Sequence, residues 1–80
     1  MFNLALTEVD YFGNKVMVHK GYKYIATDNT GDVYAYSVPV RLYDGLWLEV
    51  YADKAPDWPP LFLGSFDKDF DFINSLLNIE

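Results

Sequence analysis

Two β-rich runs, residues 22–26 and 33–36, flank the cluster Asp28-Asn29-Thr30-Gly31-Asp32. The runs are dense in Tyr, Ile and Val, which suit a pleated and half-buried surface. The cluster between them is built from residues that tolerate or supply positive φ. The stretch therefore predicts an antiparallel hairpin. Strand alternation puts Tyr22, Tyr24 and Ala26 on one face of its first strand and Lys23, Ile25 and Thr27 on the other. In the second strand Val33, Ala35 and Ser37 oppose Asp32, Tyr34 and Tyr36. Ile25 and Val33 are the core candidates. With aromatic residues on both faces, neither face is expected to lie fully in water.

The rest of the chain reads as β-rich around this hairpin. Phe2, Leu4 and Leu6 alternate as in a strand over residues 1–12, although Leu6, Val9 and Tyr11 also fit one short helix face. Gly13-Asn14 signals a turn. Residues 15–20 form a short strand with Val16 and Val18 on one face and Met17 and His19 on the other. Asp44-Gly45 between two apolar runs predicts a second hairpin, residues 40–43 with 46–51, closed by a two-residue turn of the type I′ kind. Leu42, Leu46, Leu48 and Val50 are read as its buried face. Pro56, Pro59 and Pro60 exclude helix and central strand from the loop at 52–60. Residues 61–64 make a last strand. Phe70, Ile73, Leu76 and Leu77 have helical spacing, and Asp67, Asp69 and Asp71 suit the positive end of a helix dipole. A C-terminal helix over 69–77 is expected. The fold class is thus α+β: a single domain over 1–80, with four to six antiparallel strands in two hairpins and one C-terminal helix.

Composition bounds the chemistry. The 80 residues carry 12 acids against 6 bases, a net charge of −6. That balance opposes direct binding to nucleic acid and to anionic membranes, whose affinities come from Lys and Arg. It permits binding to a basic protein surface, and it also keeps an aromatic-rich domain soluble. The chain has no Cys, which excludes disulfides and thiolate zinc sites. No stretch resembles a secretory signal or a membrane span, so a soluble intracellular protein is expected.

The catalytic inventory is thin. His19 is the only His and is read as exposed at a strand end. Ser37, Ser65 and Ser75 lie in no recognisable nucleophile elbow. No glycine-rich phosphate loop is present. Asp67, Asp69 and Asp71 invite a calcium reading, but an EF-hand loop then needs Gly and Glu where Phe72 and Asn78 stand. No catalytic, cofactor or metal residue is assigned, and the protein is not read as an enzyme.

What remains is surface. Trp58, between prolines, is either a lid on the core or an exposed anchor of the kind enriched at binding hot spots. Asp53 and Asp57 flank it in the same loop, and Asp67, Asp69 and Asp71 crowd the C-terminal segment. These six are the candidate partner-binding residues. If the acidic turns gather at one end, they form a rim that imitates the phosphates of a nucleic acid and occupies a nucleic-acid channel in another protein.

The pattern Tyr24-Ile25-Ala26-x-Asp28-x-x-Gly31-x-Val33-Tyr34-Ala35-Tyr36, with Tyr11-Phe12-Gly13 and Gly21-Tyr22 before it, resembles small proteins encoded by tailed bacteriophages. Pro39, Trp47, Leu63-Gly64 and the ending Asp71-Phe72-x-x-Ser75-Leu76-x-x-Ile79 extend the resemblance over most of the chain. Those relatives more often have Trp where Phe72 stands, and residues 40–60 match no shared motif. The resemblance implies a phage product acting in the cytoplasm of a bacterial host. The expected function is a binding protein that inhibits or redirects a host protein, in host takeover or anti-defence. The expected partner is a bacterial host protein, a nucleic-acid-binding one if the acids act as mimics, with no direct contact to nucleic acid or membrane. A homodimer is compatible with the sequence, and the alternative is an assembly component forming homo-oligomers in a virion or scaffold.

Overall fold

The computed structural model describes residues 6–51, 53 and 55–79. Eight strands follow in chain order: β1 (Leu6–Tyr11), β2 (Asn14–His19), β3 (Tyr24–Thr27), β4 (Asp32–Tyr36), β5 (Val40–Tyr43), β6 (Leu46–Glu49), β7 (Leu61–Ser65) and β8 (Leu77–Asn78). The described residues contain no helix. β7, β4, β3 and β8 form one antiparallel sheet in that order, while β1–β2 and β5–β6 are separate two-stranded hairpins.

Within its paired strands the central hairpin has the expected faces, but Tyr22, expected beside Tyr24 and Ala26, precedes β3 and packs in the cluster of Ile25, Val33 and Ala35. Tyr24 pairs with Tyr36, Ile25 with Ala35, Ala26 with Tyr34 and Thr27 with Val33. Opposed residues project to the same side of a sheet, so Ile25, Thr27, Val33 and Ala35 share one face. Against that face lie Val9 and Tyr11 of β1 and Val18 of β2, forming the larger buried cluster. On the other face Ala26 and Tyr36 pack with Val40 of β5, joined by Tyr24, Tyr34 and Trp47. Each outer hairpin therefore covers one face of the β3–β4 pair. This arrangement suits a short chain, because a lone two-stranded hairpin does not hold itself together in water.

Two expectations are corrected here. The α+β class, with four to six strands in two hairpins and a C-terminal helix, gives way to an all-β fold whose described residues form eight strands and three hairpins. Residues 69–77 run instead as turns into β8, which pairs with β3 through Tyr24–Asn78 and Ile25–Leu77. The Ile79 amide continues that edge by donating to the Lys23 carbonyl at 2.9 Å. The helical spacing marks no buried stripe, since Ile73 and Leu76 are exposed. The edge of β3 offers unpaired backbone groups, and satisfying them in a sheet outweighs a short helix that is marginal on its own.

The second correction concerns β5–β6. The hairpin and its tight turn are present, with positive φ at Asp44 and Gly45, but its inner face is a different set of residues. The register opposes Val40 to Glu49 and Leu42 to Trp47. Val40, Leu42, Trp47 and Glu49 therefore face the sheet, and Leu46, Leu48 and Val50 are exposed. The first segment is a strand from Leu6 onward, with Val9 and Tyr11 buried and Leu6 exposed. Phe2 and Leu4 lie outside the described residues. No helix among the described residues is long and apolar enough to cross a membrane.

Candidate partner-binding surface

The predicted site residues fall at two separate places. Trp58, Asp57 and Asp53 belong to the proline-rich loop. The loop is tied to the body by the Tyr22 hydroxyl donating to the Pro59 carbonyl at 2.7 Å and the Ser37 hydroxyl donating to the Trp58 carbonyl at 3.2 Å. The Trp58 ring meets the His19 ring edge-on, with centroids 4.5 Å apart, and His19 also lies 4.5 Å from the Tyr22 ring. Trp58 is 43% exposed and belongs to neither buried cluster. It is thus seated on a neighbouring ring without covering the core. Trp58 and Asp57 line a cavity of about 340 Å³ together with Lys23 and Ser37. Asp53 is exposed on the same loop.

His19, read as exposed, is half-buried between those rings. Its Nδ1 accepts a hydrogen bond from the Gly21 amide at 3.0 Å. That bond puts the proton of the neutral imidazole on Nε2. The arrangement orients the ring.

Asp67, Asp69 and Asp71 lie at the other end of the β1–β2 hairpin. Leu6 pairs with His19 at one extremity and Tyr11 with Asn14 at the other, and six residues of strand separate the two by roughly 17 Å. The acidic segment is fixed at the turn end by a ladder of rings. Phe66 and Phe70 stack at 4.1 Å, Phe70 meets Phe12 edge-on at 5.2 Å, and Phe66 lies 6.1 Å from Tyr11. The three aspartates themselves are exposed.

Backbone bonds bring the other acidic turns to this same end. The Phe66 amide donates to the Gly31 carbonyl at 2.8 Å, and the Asn29 amide donates to the Gly45 carbonyl at 2.9 Å. The β3–β4 turn, the β5–β6 turn and the segment at 66–71 are therefore contiguous. Asp28 and Asp32 serve the turns: Asp28 Oδ1 accepts from the Trp47 amide at 3.0 Å and Asp32 Oδ1 accepts from the Ser65 hydroxyl at 2.8 Å. Asp44, Asp67, Asp69 and Asp71 are left facing solvent. The aromatic residues beside this rim are Phe12 and Tyr43, both more than half exposed, and Trp58 is not among them. Among the described residues no group of three or more His, Asp or Glu is arranged to hold a metal ion.

One feature escaped the sequence reading. Where β5–β6 crosses the outer face of β4 it leaves an open cleft of about 300 Å³, lined by Asp28, Tyr34, Tyr36, Trp47 and Glu49 among others. The Tyr34 and Tyr36 rings stand 6.3 Å apart on β4. The Trp47 indole is fixed by its Nε1–H donating to the Thr27 carbonyl at 2.8 Å. Glu49 Oε2 is shielded from water and accepts no hydrogen bond among the described residues. Burial holds the Glu49 carboxyl above the usual carboxylate range. Burial, reinforced by Asp28, Tyr34 and Glu49, likewise raises the Tyr36 phenol. The available signal was Glu49 itself, an acid on what the Asp-Gly register makes an inward face.

No protein-family model, curated protein or solved structure matches the chain.

Proposed function

We propose that the chain is a small acidic binding protein that docks its turn end onto a basic surface of a protein partner and so inhibits or redirects it. The observation that supports this reading is the convergence of the β3–β4 turn, the β5–β6 turn and the segment at 66–71, which groups Asp44, Asp67, Asp69 and Asp71 beside exposed Phe12 and Tyr43. Grouped carboxylates steer a basic partner and fix its register more than they add affinity, and neighbouring aromatic residues supply apolar contact area. The resemblance to small phage proteins makes a bacterial host protein the partner class. A nucleic-acid-binding protein is the form of partner that a phosphate-like row of carboxylates fits.

The test is affinity capture from bacterial lysate with the intact chain and with Asp67, Asp69 and Asp71 changed to Asn. The triple variant is expected to weaken retention about tenfold or more, and added salt is expected to weaken the wild type steeply. Capture that is unaffected by the triple variant but abolished by Trp58→Ala would move the docking surface to the proline-rich loop. Finding no stoichiometric partner in several hosts would end the reading.

One observation favours a second reading, a homo-oligomeric assembly component. The outer face of β5–β6 exposes Tyr43, Leu46, Leu48 and Val50, and among the described residues the two strands pair only with each other. Apolar faces and open strand edges of this kind invite pairing between copies. Light scattering after size exclusion separates the readings, since a large ordered oligomer belongs to the second.

A further inference from the structure

We propose that the cleft between β4 and β6 is a cation seat that receives one arginine side chain of the protein partner, between the rings of Tyr34, Tyr36 and Trp47 and beside the Glu49 carboxylate. The inference deepens the binding reading and rests on it for the source of the arginine, but the seat itself is testable without any partner.

Four observations carry it. Three aromatic residues line one cleft, and aromatic faces attract cations through their quadrupoles, most strongly where water is excluded. Glu49 Oε2 is shielded from water with no donor to satisfy it among the described residues. A buried acceptor left in that state is costly, and a charged donor relieves it best. Among the described residues no basic side chain lines the cleft. The nearest candidate along the strands, Arg41, belongs to the opposite face, where its guanidinium lies 5.8 Å from the Tyr43 ring centre. Finally, about 300 Å³ stands at the lower limit of pockets that enclose small-molecule ligands, and it suits a single side chain.

Arginine fits this seat better than lysine. Its guanidinium is planar, stacks on aromatic faces, is weakly hydrated and offers paired donors to a carboxylate. An anionic occupant is disfavoured by Asp28 and Glu49 together. The Glu49 carboxyl, raised by burial alone, is expected to return toward the ordinary range when a guanidinium sits beside it.

The experiment uses the full chain carrying Trp58→Phe, so that Trp47 is the remaining tryptophan. Trp47 fluorescence is followed during titration with N-acetyl-arginine amide, with the neutral citrulline counterpart, and with a short uncharged peptide holding one central arginine. Saturable quenching is expected for the arginine amide and the peptide, with a dissociation constant of about 1–10 mM, the range of a single anchored side chain, and none for citrulline. Glu49→Gln is expected to weaken binding about tenfold, with an unchanged circular dichroism spectrum establishing that it folds. In wild-type protein the Glu49 carboxyl, followed by NMR, is expected to titrate at lower pH when arginine amide is present. Equal response to citrulline and arginine, or a Glu49 titration that arginine amide does not move, overturns the seat. Binding of the amide but not of the peptide overturns its role in docking a protein. None of these failures touches the acidic turn end, whose test is the triple Asp variant.

Discussion

Ser75 shows most directly how single residues decide this fold. Its hydroxyl accepts from the Thr27 amide at 2.9 Å and donates to the Phe72 carbonyl at 2.6 Å. Its carbonyl accepts from the Tyr11 hydroxyl at 2.8 Å, and that hydroxyl also bonds Thr27 Oγ1 at 2.8 Å. Ser75, Thr27 and Tyr11 are all buried, so β1, β3 and the C-terminal segment meet in one satisfied polar network. Nothing near Ser75 in sequence announces this. Thr27 and Tyr11 are 48 and 64 residues away, whereas the local spacing of Phe70, Ile73, Leu76 and Leu77 reads as helix. Ser75→Ala leaves the Thr27 amide buried without its acceptor, and a loss of about 1–3 kcal/mol is expected. For a chain of this size each kcal/mol lowers the melting temperature by roughly 4–8 °C. Tyr11→Phe is expected to cost a similar amount. Because both act through Thr27, the double variant should fall short of the sum by about 0.5 kcal/mol or more. Strict additivity in thermal melts would show that the three residues do not act as a unit.

At the scale of elements, the hairpins were legible and the way their faces are used was only partly so. The Asp28 to Asp32 cluster and Asp44-Gly45 carry their turn chemistry locally, and the register of β3 with β4 puts Ile25 and Val33 in the core as alternation requires. The inner face of β5–β6 is not the one its leucines suggest: a two-residue turn opposes Leu42 to Trp47 and Tyr43 to Leu46, which puts Leu42 and Leu46 on opposite faces. The apolar run on the outer face then looked like core, although only a neighbouring sheet decides which side is covered. The turn of the central hairpin is also a docking point. Gly31 has φ +92°, and a Cβ there would run into the Phe66 carbonyl oxygen, a backbone atom that has little room to give. Gly13 has a similar φ of +83° with open space around its missing side chain. Gly13→Ala is therefore expected to cost about 1 kcal/mol, for backbone conformation alone. Gly31→Ala is expected to cost more by at least about 1 kcal/mol, through overpacking that displaces the acidic segment. Urea unfolding of both variants measures the difference, and equal losses would mean that the Phe66 contact yields freely.

For the whole molecule, the sequence supplied the acidic residues and their placement in turns, but not which turns would meet. Convergence depends on long-range backbone bonds such as Phe66 to Gly31 and Asn29 to Gly45, and on β1–β2 separating Trp58 from the acidic end. Packing aromatic hairpins on both faces of β3–β4 has a further global consequence, which is pH dependence at the alkaline side. Burial raises the phenols of Tyr11, Tyr22 and Tyr36 above the ordinary tyrosine value. Below about pH 10 these phenols are protonated in the folded and unfolded chain alike, and their contribution to stability is fully present. As pH rises through that value the unfolded chain releases protons that the folded chain retains, so stability falls with further increase toward the folded values. Unfolding by urea should therefore show a midpoint that is steady between pH 7 and 9 and declines above about pH 10. Tyr36 carries the largest of these shifts, with burial its first cause, and lines the β4–β6 cleft. Tyr36→Phe is accordingly expected to leave stability at pH 7 within about 0.5 kcal/mol of wild type and to make the alkaline decline visibly shallower. Parallel curves for the two proteins would place the alkaline sensitivity in the exposed groups and not in the aromatic layers that hold the hairpins together.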